Sequence, residues 1–317
     1  MAVFALFKTK PSKTSSADAK NKALDWGKTF FKVGAQLPRN VVAPTEETAG
    51  YFIPTFYKYG EKAIAIDLAK WEASRQRPDG AFSGSDGVPY TFDTAQVIRG
   101  FLSTLDEVPE FAEPLRRACD YVESQIDADG KVRTVSFAGW RLSDGSYFSD
   151  YAHLYALPPL LQAGRRLSVP RYIDAVERGI RYFRSKPDLV EFKPELGTLS
   201  HIFGYMMEAL AELGQTDLAR KGLASAAAIQ RNDGAISAYP GVNWICSTGM
   251  AQLAAAWYRI GDTAPADKAI DYLRSIQNPS GGFYGSYGRN ARYFPDKEIG
   301  WAVKYFLDCF LLKRECA

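Results

Sequence analysis

Gln76-Arg77-Pro78-Asp79-Gly80-Ala81-Phe82 has three relatives within this chain of 317 residues: Gln125-Ile126-Asp127-Ala128-Asp129-Gly130, Gln230-Arg231-Asn232-Asp233-Gly234-Ala235-Ile236 and Gln277-Asn278-Pro279-Ser280-Gly281-Gly282-Phe283. In each, a glutamine precedes a glycine-centred turn, and each turn leads toward an amphipathic helix. The four glutamines are spaced at 49, 105 and 47 residues. A period of about 50, with one degenerate copy near Lys186-Pro187-Asp188, accounts for all of them and marks a repetitive architecture.

Two kinds of helical pattern alternate around these turns. The segments 111–124, 171–184, 217–229 and 264–276 carry apolar residues at three- and four-residue spacing with charges between, as half-exposed helices do. The segments 92–105, 151–167, 199–213, 247–260 and 299–312 are rich in Ala, Gly, Leu and aromatics and suit an interior. Gly164, Gly214 and Gly261 stand where C-terminal stops belong. Pro158-Pro159 predicts a kink or a restart in the second inner helix, because interior proline costs about 3 kcal/mol. Segments 25–37 and 45–75 supply further helical material. Charged outer helix, turn and apolar inner helix, repeated, predict an all-α single domain: an α/α toroid of five to six helical hairpins, the sixth closed by the two ends. An open solenoid is the rival. Closure is favoured because the inner helices are too apolar to face a solvated groove.

The net charge of +3 comes from the first residues. Residues 1–22 hold five lysines against Asp18 and read as a disordered basic tail, with the toroid spanning 23–317. An apolar start followed by lysines also suits weak contact with a membrane surface. The body is then near neutral, which argues against a nucleic-acid partner. No stretch is long and apolar enough for a transmembrane helix, and residues 1–7 are too few for a signal-peptide core. Cys119, Cys246, Cys309 and Cys316 form no Cys-x-x-Cys pair, so reduced thiols in the cytoplasm are expected. With only His153 and His201, no metal site is expected, and no cofactor motif occurs.

The glutamine–glycine–aromatic turns resemble those of the terpenoid cyclase and protein prenyltransferase toroids, of six-hairpin glycosidases and of glucuronyl C5-epimerases, over about residues 45–312. The stretches 244–252, 281–287 and 298–308 look like toroid proteins that accompany bacterial surface-polysaccharide genes. Such a resemblance implies the fold and leaves the chemistry to the site.

In a toroid the N-terminal ends of the inner helices converge on one mouth. Aligning the inner helices on their terminal glycines pairs Tyr151 with His201 and His201 with Thr248; Asp93 falls opposite Asp150. One ring therefore collects Asp93, Asp150, Tyr151 and His201 as candidate catalytic residues, with Glu298 and Trp301 joining from the last helix. Asp93 and Asp150 would also serve as N-caps, Glu298 suits a first turn, and His153 reads as a packing residue. His201, Tyr205 and Glu208 share one face of an inner helix, a polar stripe that is costly unless wet or internally bonded. Loops feeding the mouth add Trp140, Arg141, Tyr239, Trp244, Tyr287, Arg292 and Tyr293 as candidate substrate-binding residues. Aromatic faces suit sugar rings and arginine forks suit carboxylates.

These features predict an enzyme acting on an acidic, uronic-acid-containing glycan by acid/base chemistry: hydrolysis, elimination or C5-epimerisation. One alternative is a terpenoid cyclase or prenyl-binding toroid with a non-standard acid, since the Asp-x-Asp-Asp and Asp-Asp-x-x-Asp motifs and the prenyltransferase zinc set are absent. The other is a non-catalytic toroid that binds a glycan or partner in polysaccharide assembly.

Overall fold

The computed structural model describes residues 15–32, 36–136 and 148–316. The repeated turns show why a glutamine and a glycine recur together. The Gln76 side-chain amide donates to Gly80 O at 3.0 Å and to Pro114 O at 2.8 Å. Gln230 does the same to Gly234 O and Pro265 O, and Gln277 to Gly281 O and Ala19 O. Each glutamine thus ties its own turn to the start of the next outer helix. Gln125 departs from this pattern: among the described residues its amide reaches only Ser124 Oγ. The glycines of all four turns have φ between 88° and 96°, and a β-carbon on any of them would collide with a backbone carbonyl of the neighbouring outer helix, at Arg117, Arg178, Lys268 or Lys22. Gly234→Ala therefore combines a left-handed backbone with a rigid clash and is expected to cost about 3 kcal/mol or more. Gly214→Ala has equally positive φ but open space around it, and should cost only about 1 kcal/mol. Paired chemical denaturation curves test the contrast; equal losses would show that the close approach does not matter.

The helices follow one another as inner and outer legs. The inner ones are α2 (Glu46–Lys58), α4 (Thr91–Thr104), α6 (Leu157–Arg166), α8 (Ser200–Glu212), α10 (Ser247–Arg259) and α12 (Gly300–Glu315). The outer ones are α1 (Ser16–Phe30), α3 (Lys62–Arg75), α5 (Ala112–Ser124), α7 (Pro170–Arg184), α9 (Thr216–Ala228) and α11 (Thr263–Ile276). Inner helices pack in sequence, α2 on α4, α4 on α6, α8 on α10 and α10 on α12, and α12 returns to α2. The ring is closed: an α/α toroid of six hairpins. The sixth hairpin pairs α12 with α1. Its clasp is Glu298, which accepts from Trp26 Nε1 at 2.7 Å, Asn278 Nδ2 at 2.8 Å and Ser280 Oγ at 2.5 Å.

One local expectation is met and two change. Pro158 and Pro159 produce the restart: a 3-10 helix, Asp150–Ala156, precedes α6, and the prolines occupy its first turn, where no N–H is needed. The stretch 45–75 is two helices, broken at Gly60, whose φ is 85°. The first helix runs over Ser16–Phe30 rather than 25–37, so the expected tail boundary at residue 22 falls inside it. Ser15 Oγ caps it, and Ala19, Ala23, Trp26 and Phe30 are its buried face. Lys22 lies on the solvated face opposite. No helix among the described residues is long and apolar enough to cross a membrane.

Candidate functional site

Parallel inner helices divide the bore of the ring into three layers. The middle is a plug of rings, with Tyr155 and Tyr205 centroids 4.9 Å apart, Phe92 and Tyr205 4.7 Å, and Tyr51 and Tyr305 5.9 Å. Below it, at the C-terminal ends of the helices, lies a buried charge network. Arg99 donates to Glu212 at 2.7 Å and lies 4.5 Å from the Tyr155 ring centroid. Arg259 stands 3.4 Å from Glu212 and 3.6 Å from Glu208, and Lys304 pairs with Asp308 at 3.0 Å. Burial pushes the Glu208 carboxyl up to about 6 against the pull of Lys304 and Arg259. In Glu212, burial is outweighed by Arg99 and Arg259, which bring it down to about 2.

Above the plug, at the N-terminal ends, a cavity of about 410 Å³ opens. Its chemistry is carried by Glu47 on α2, Asp93 on α4, His201 on α8 and Asp86 in the loop before α4. Tyr205, Tyr293, Phe294 and Trp301 supply aromatic walls. Glu47 keeps part of its surface open to the cavity but is otherwise surrounded by protein. Burial pushes it up to about 7, restrained by hydrogen bonds from Trp301, from Tyr51 OH and from Tyr205 OH, the last two at 3.2 Å. Asp93 sits in the first turn of α4 without a side-chain capping bond, and among the described residues its side chain accepts no hydrogen bond. Burial, then the charges of Glu47, Glu46 and Asp86, hold its carboxyl well above the ordinary range. His201 Nδ1 is 2.6 Å from Gln252 Oε1. With the amide oxygen so oriented, Nδ1 carries the hydrogen and Nε2 keeps its lone pair. Burial holds this imidazole down at about 4, so it is neutral at pH 7. Among the described residues no group of three His, Cys, Asp or Glu is arranged to hold a metal.

The structure brings together Asp93, His201, Tyr205, Tyr293 and Trp301. The other candidates lie elsewhere. Asp150 pairs with Lys131 at 3.2 Å and His153 at 3.3 Å, and Tyr151 donates to Asp188 at 2.7 Å. Both belong to the 3-10 helix, whose tighter winding ends the register with His201. Glu298 is consumed by the clasp. Glu208 shares the helix of His201 but sits almost two turns down, in the charge network, where it accepts from Tyr155 OH at 3.3 Å. Tyr239 packs on Trp244, Tyr287 OH donates to Asn278 at 3.3 Å, and Arg292 is exposed; none lines the cavity. Thr248 is buried and also absent from its walls. Trp140 and Arg141 lie outside the described residues.

Sequence reasoning missed Glu47, yet the signal was present. Gly60 ends α2 as Gly214 ends α8, and the offset of 154 residues between them carries Glu47 onto His201. Treating 45–75 as one stretch of helix hid that stop.

No protein-family model matches the chain, and no curated protein matches it. Solved structures do. An unsaturated glucuronyl hydrolase specific for heparin superposes with a TM-score of 0.68 at 13% identity, covering 94% of this chain and 97% of that one. A possible GH105 member from Salmonella enterica serovar Paratyphi A gives 0.69 at 11% identity, over 99% and 100% of the two chains. An α-amylase from Clostridium perfringens gives 0.70 at 13%, over 94% and 98%. The shared feature is the fold, an α/α toroid spanning essentially the whole chain.

Proposed function

We propose that the protein is a glycan-active hydrolase that cleaves a uronic-acid-containing glycan in the upper cavity. The observation that carries this reading is the pair of carboxyls, Glu47 and Asp93, held in unlike surroundings at one mouth. Asp93, with no donor to stabilise its charge among the described residues, keeps its proton and is the general acid. Glu47, bonded by three donors, ionises more readily and is the base. Asp93 passes its proton to the glycosidic oxygen as that bond to the anomeric carbon breaks. A water oxygen bonds to the anomeric carbon and gives its proton to Glu47. Two sugars with new hydroxyls leave, and solvent returns Asp93 and Glu47 to their starting states.

His201, neutral and presenting Nε2, suits a hydrogen bond from a sugar hydroxyl. Elimination or epimerisation would need a cation beside the uronic carboxylate, and Arg141, which the sequence offers for that role, lies outside the described residues. The glucuronyl hydrolase among similar structures supports the substrate class. Four unpaired cysteines suit a reducing, cytoplasmic setting.

The test is incubation with a panel of saturated and unsaturated uronic-acid oligosaccharides, following new reducing ends. Product from the wild type and none from Asp93→Asn is the expected result. Binding without product from any member would instead favour a non-catalytic toroid.

A further inference from the structure

Phe294 is costly to the fold in two ways. Its φ of 45° lies in the left-handed region, which a bulky side chain enters at a price in strain. The residue is 37% exposed, among the few large hydrophobics left so open in the described residues. The loop holds it there. Phe294 O accepts from Gly285 N at 3.0 Å, and Gly285 O accepts from Ser247 N at 3.1 Å at the head of α10. A β-carbon on Gly285 would stand 2.5 Å from Tyr293 O and 2.8 Å from the β-carbon of Phe294, so the loop closes only because position 285 has no side chain.

The left-handed turn sends neighbouring rings in different directions. Tyr293 is buried with its centroid 5.6 Å from His201. Phe294 stands at the rim, its plane within 23° of Trp301 and the centroids 6.2 Å apart. Trp301 in turn donates to Glu47. The rim pair is therefore continuous with the acid pair, one ring further out.

We propose that Phe294 and Trp301 form a sugar-stacking subsite at the rim, binding the apolar face of a pyranose ring next to the one held between Glu47 and Asp93. This deepens the glycan reading above and rests on it. A strained, exposed aromatic that served only packing would be improved by glycine. Here strain presents a flat apolar face to solvent beside a cavity that needs to position an oligosaccharide.

Calorimetric titration of wild type, Phe294→Ala and Phe294→Gly with uronic-acid mono-, di- and tetrasaccharides tests this. Both variants should bind the monosaccharide as the wild type does and the longer chains roughly ten-fold more weakly. Phe294→Gly should also melt a few degrees above Phe294→Ala, because it relieves the backbone. Unchanged disaccharide affinity in both variants overturns the subsite even if Glu47 and Asp93 still support turnover. Lost disaccharide affinity, with full turnover retained in Glu47→Gln and Asp93→Asn, keeps the subsite and ends the assignment of these two carboxyls as the acid and base. A wild type that binds no saccharide overturns the subsite, and equal melting points for the two variants overturn the strained presentation of Phe294.

Discussion

Glu47→Gln is expected to lower turnover of a uronic-acid oligosaccharide roughly 100- to 10,000-fold while making the fold more stable above pH 7. Burial raises the Glu47 carboxyl from its ordinary 4.5 to about 7. Between those two values the folded chain binds more protons than the unfolded one, so stability is greatest below pH 4.5 and falls as pH rises through about 7. The gap corresponds to at most about 3 kcal/mol at pH 8, reduced by whatever water enters the cavity. Glutamine keeps the shape and removes the ionisation. Thermal melts at pH 5 and pH 8 should therefore show the variant gaining on the wild type only at the higher pH. In the wild type, the rate should rise as Glu47 ionises through about pH 7 and fall where Asp93 loses its proton; in the variant, the rising limb disappears. A variant with full activity, or one that loses stability at pH 8, would remove Glu47 from the role given to it.

Arg99→Met should be the most damaging single change to stability away from the upper cavity, costing about 3–5 kcal/mol at pH 7. Arg99 and Glu212 are both nearly inaccessible, at 11% and 4% side-chain exposure, so little solvent screens their loss. Methionine would fill much of the volume but leave Glu212 with only the longer 3.4 Å contact to Arg259. Glu212 is depressed to about 2, so its contribution is present above its ordinary 4.5 and lost as pH falls toward 2. Weakening that depression should move acid unfolding to higher pH. Urea denaturation and an acid titration followed by far-ultraviolet circular dichroism give both numbers. Replacing both partners, with Arg99→Met and Glu212→Leu, should recover part of the loss, because an apolar pair carries no desolvation cost. A loss below about 1 kcal/mol in the single variant would mean that the network is hydrated.

The fold was legible because its repeat is a backbone device. At three of the four turns a glutamine ties its own turn to the next helix, and at all four only glycine fits against that helix, so the pattern recurs with the geometry. The site was legible only where helical register carries from one hairpin to the next. Asp93 and His201 were found in this way. Asp150 and Tyr151 were not comparable with them, since periodicity does not distinguish a 3-10 start from an α start, and three residues per turn aim side chains differently. Glu298 and Glu208 are chemically suited to catalysis, but their partners, Trp26 and Tyr155, are 272 and 53 residues away, and no local pattern reveals such pairings. The basic run near the start hid a helix because a solvated face and a disordered segment have the same composition.

The pairing of α1 with α12 has a consequence for how the molecule is made. The first helix leaves the ribosome about 270 residues before its partner, which at the usual pace of synthesis is roughly 15 to 60 s. Throughout that time α2 can offer Phe52 to Phe30, but the part of the Ala19, Ala23, Trp26 and Phe30 face that meets α12 stays uncovered. Nascent chains should therefore carry a sticky first helix that chaperones can engage, and a circular permutant with α12 placed directly before α1 should escape this delay.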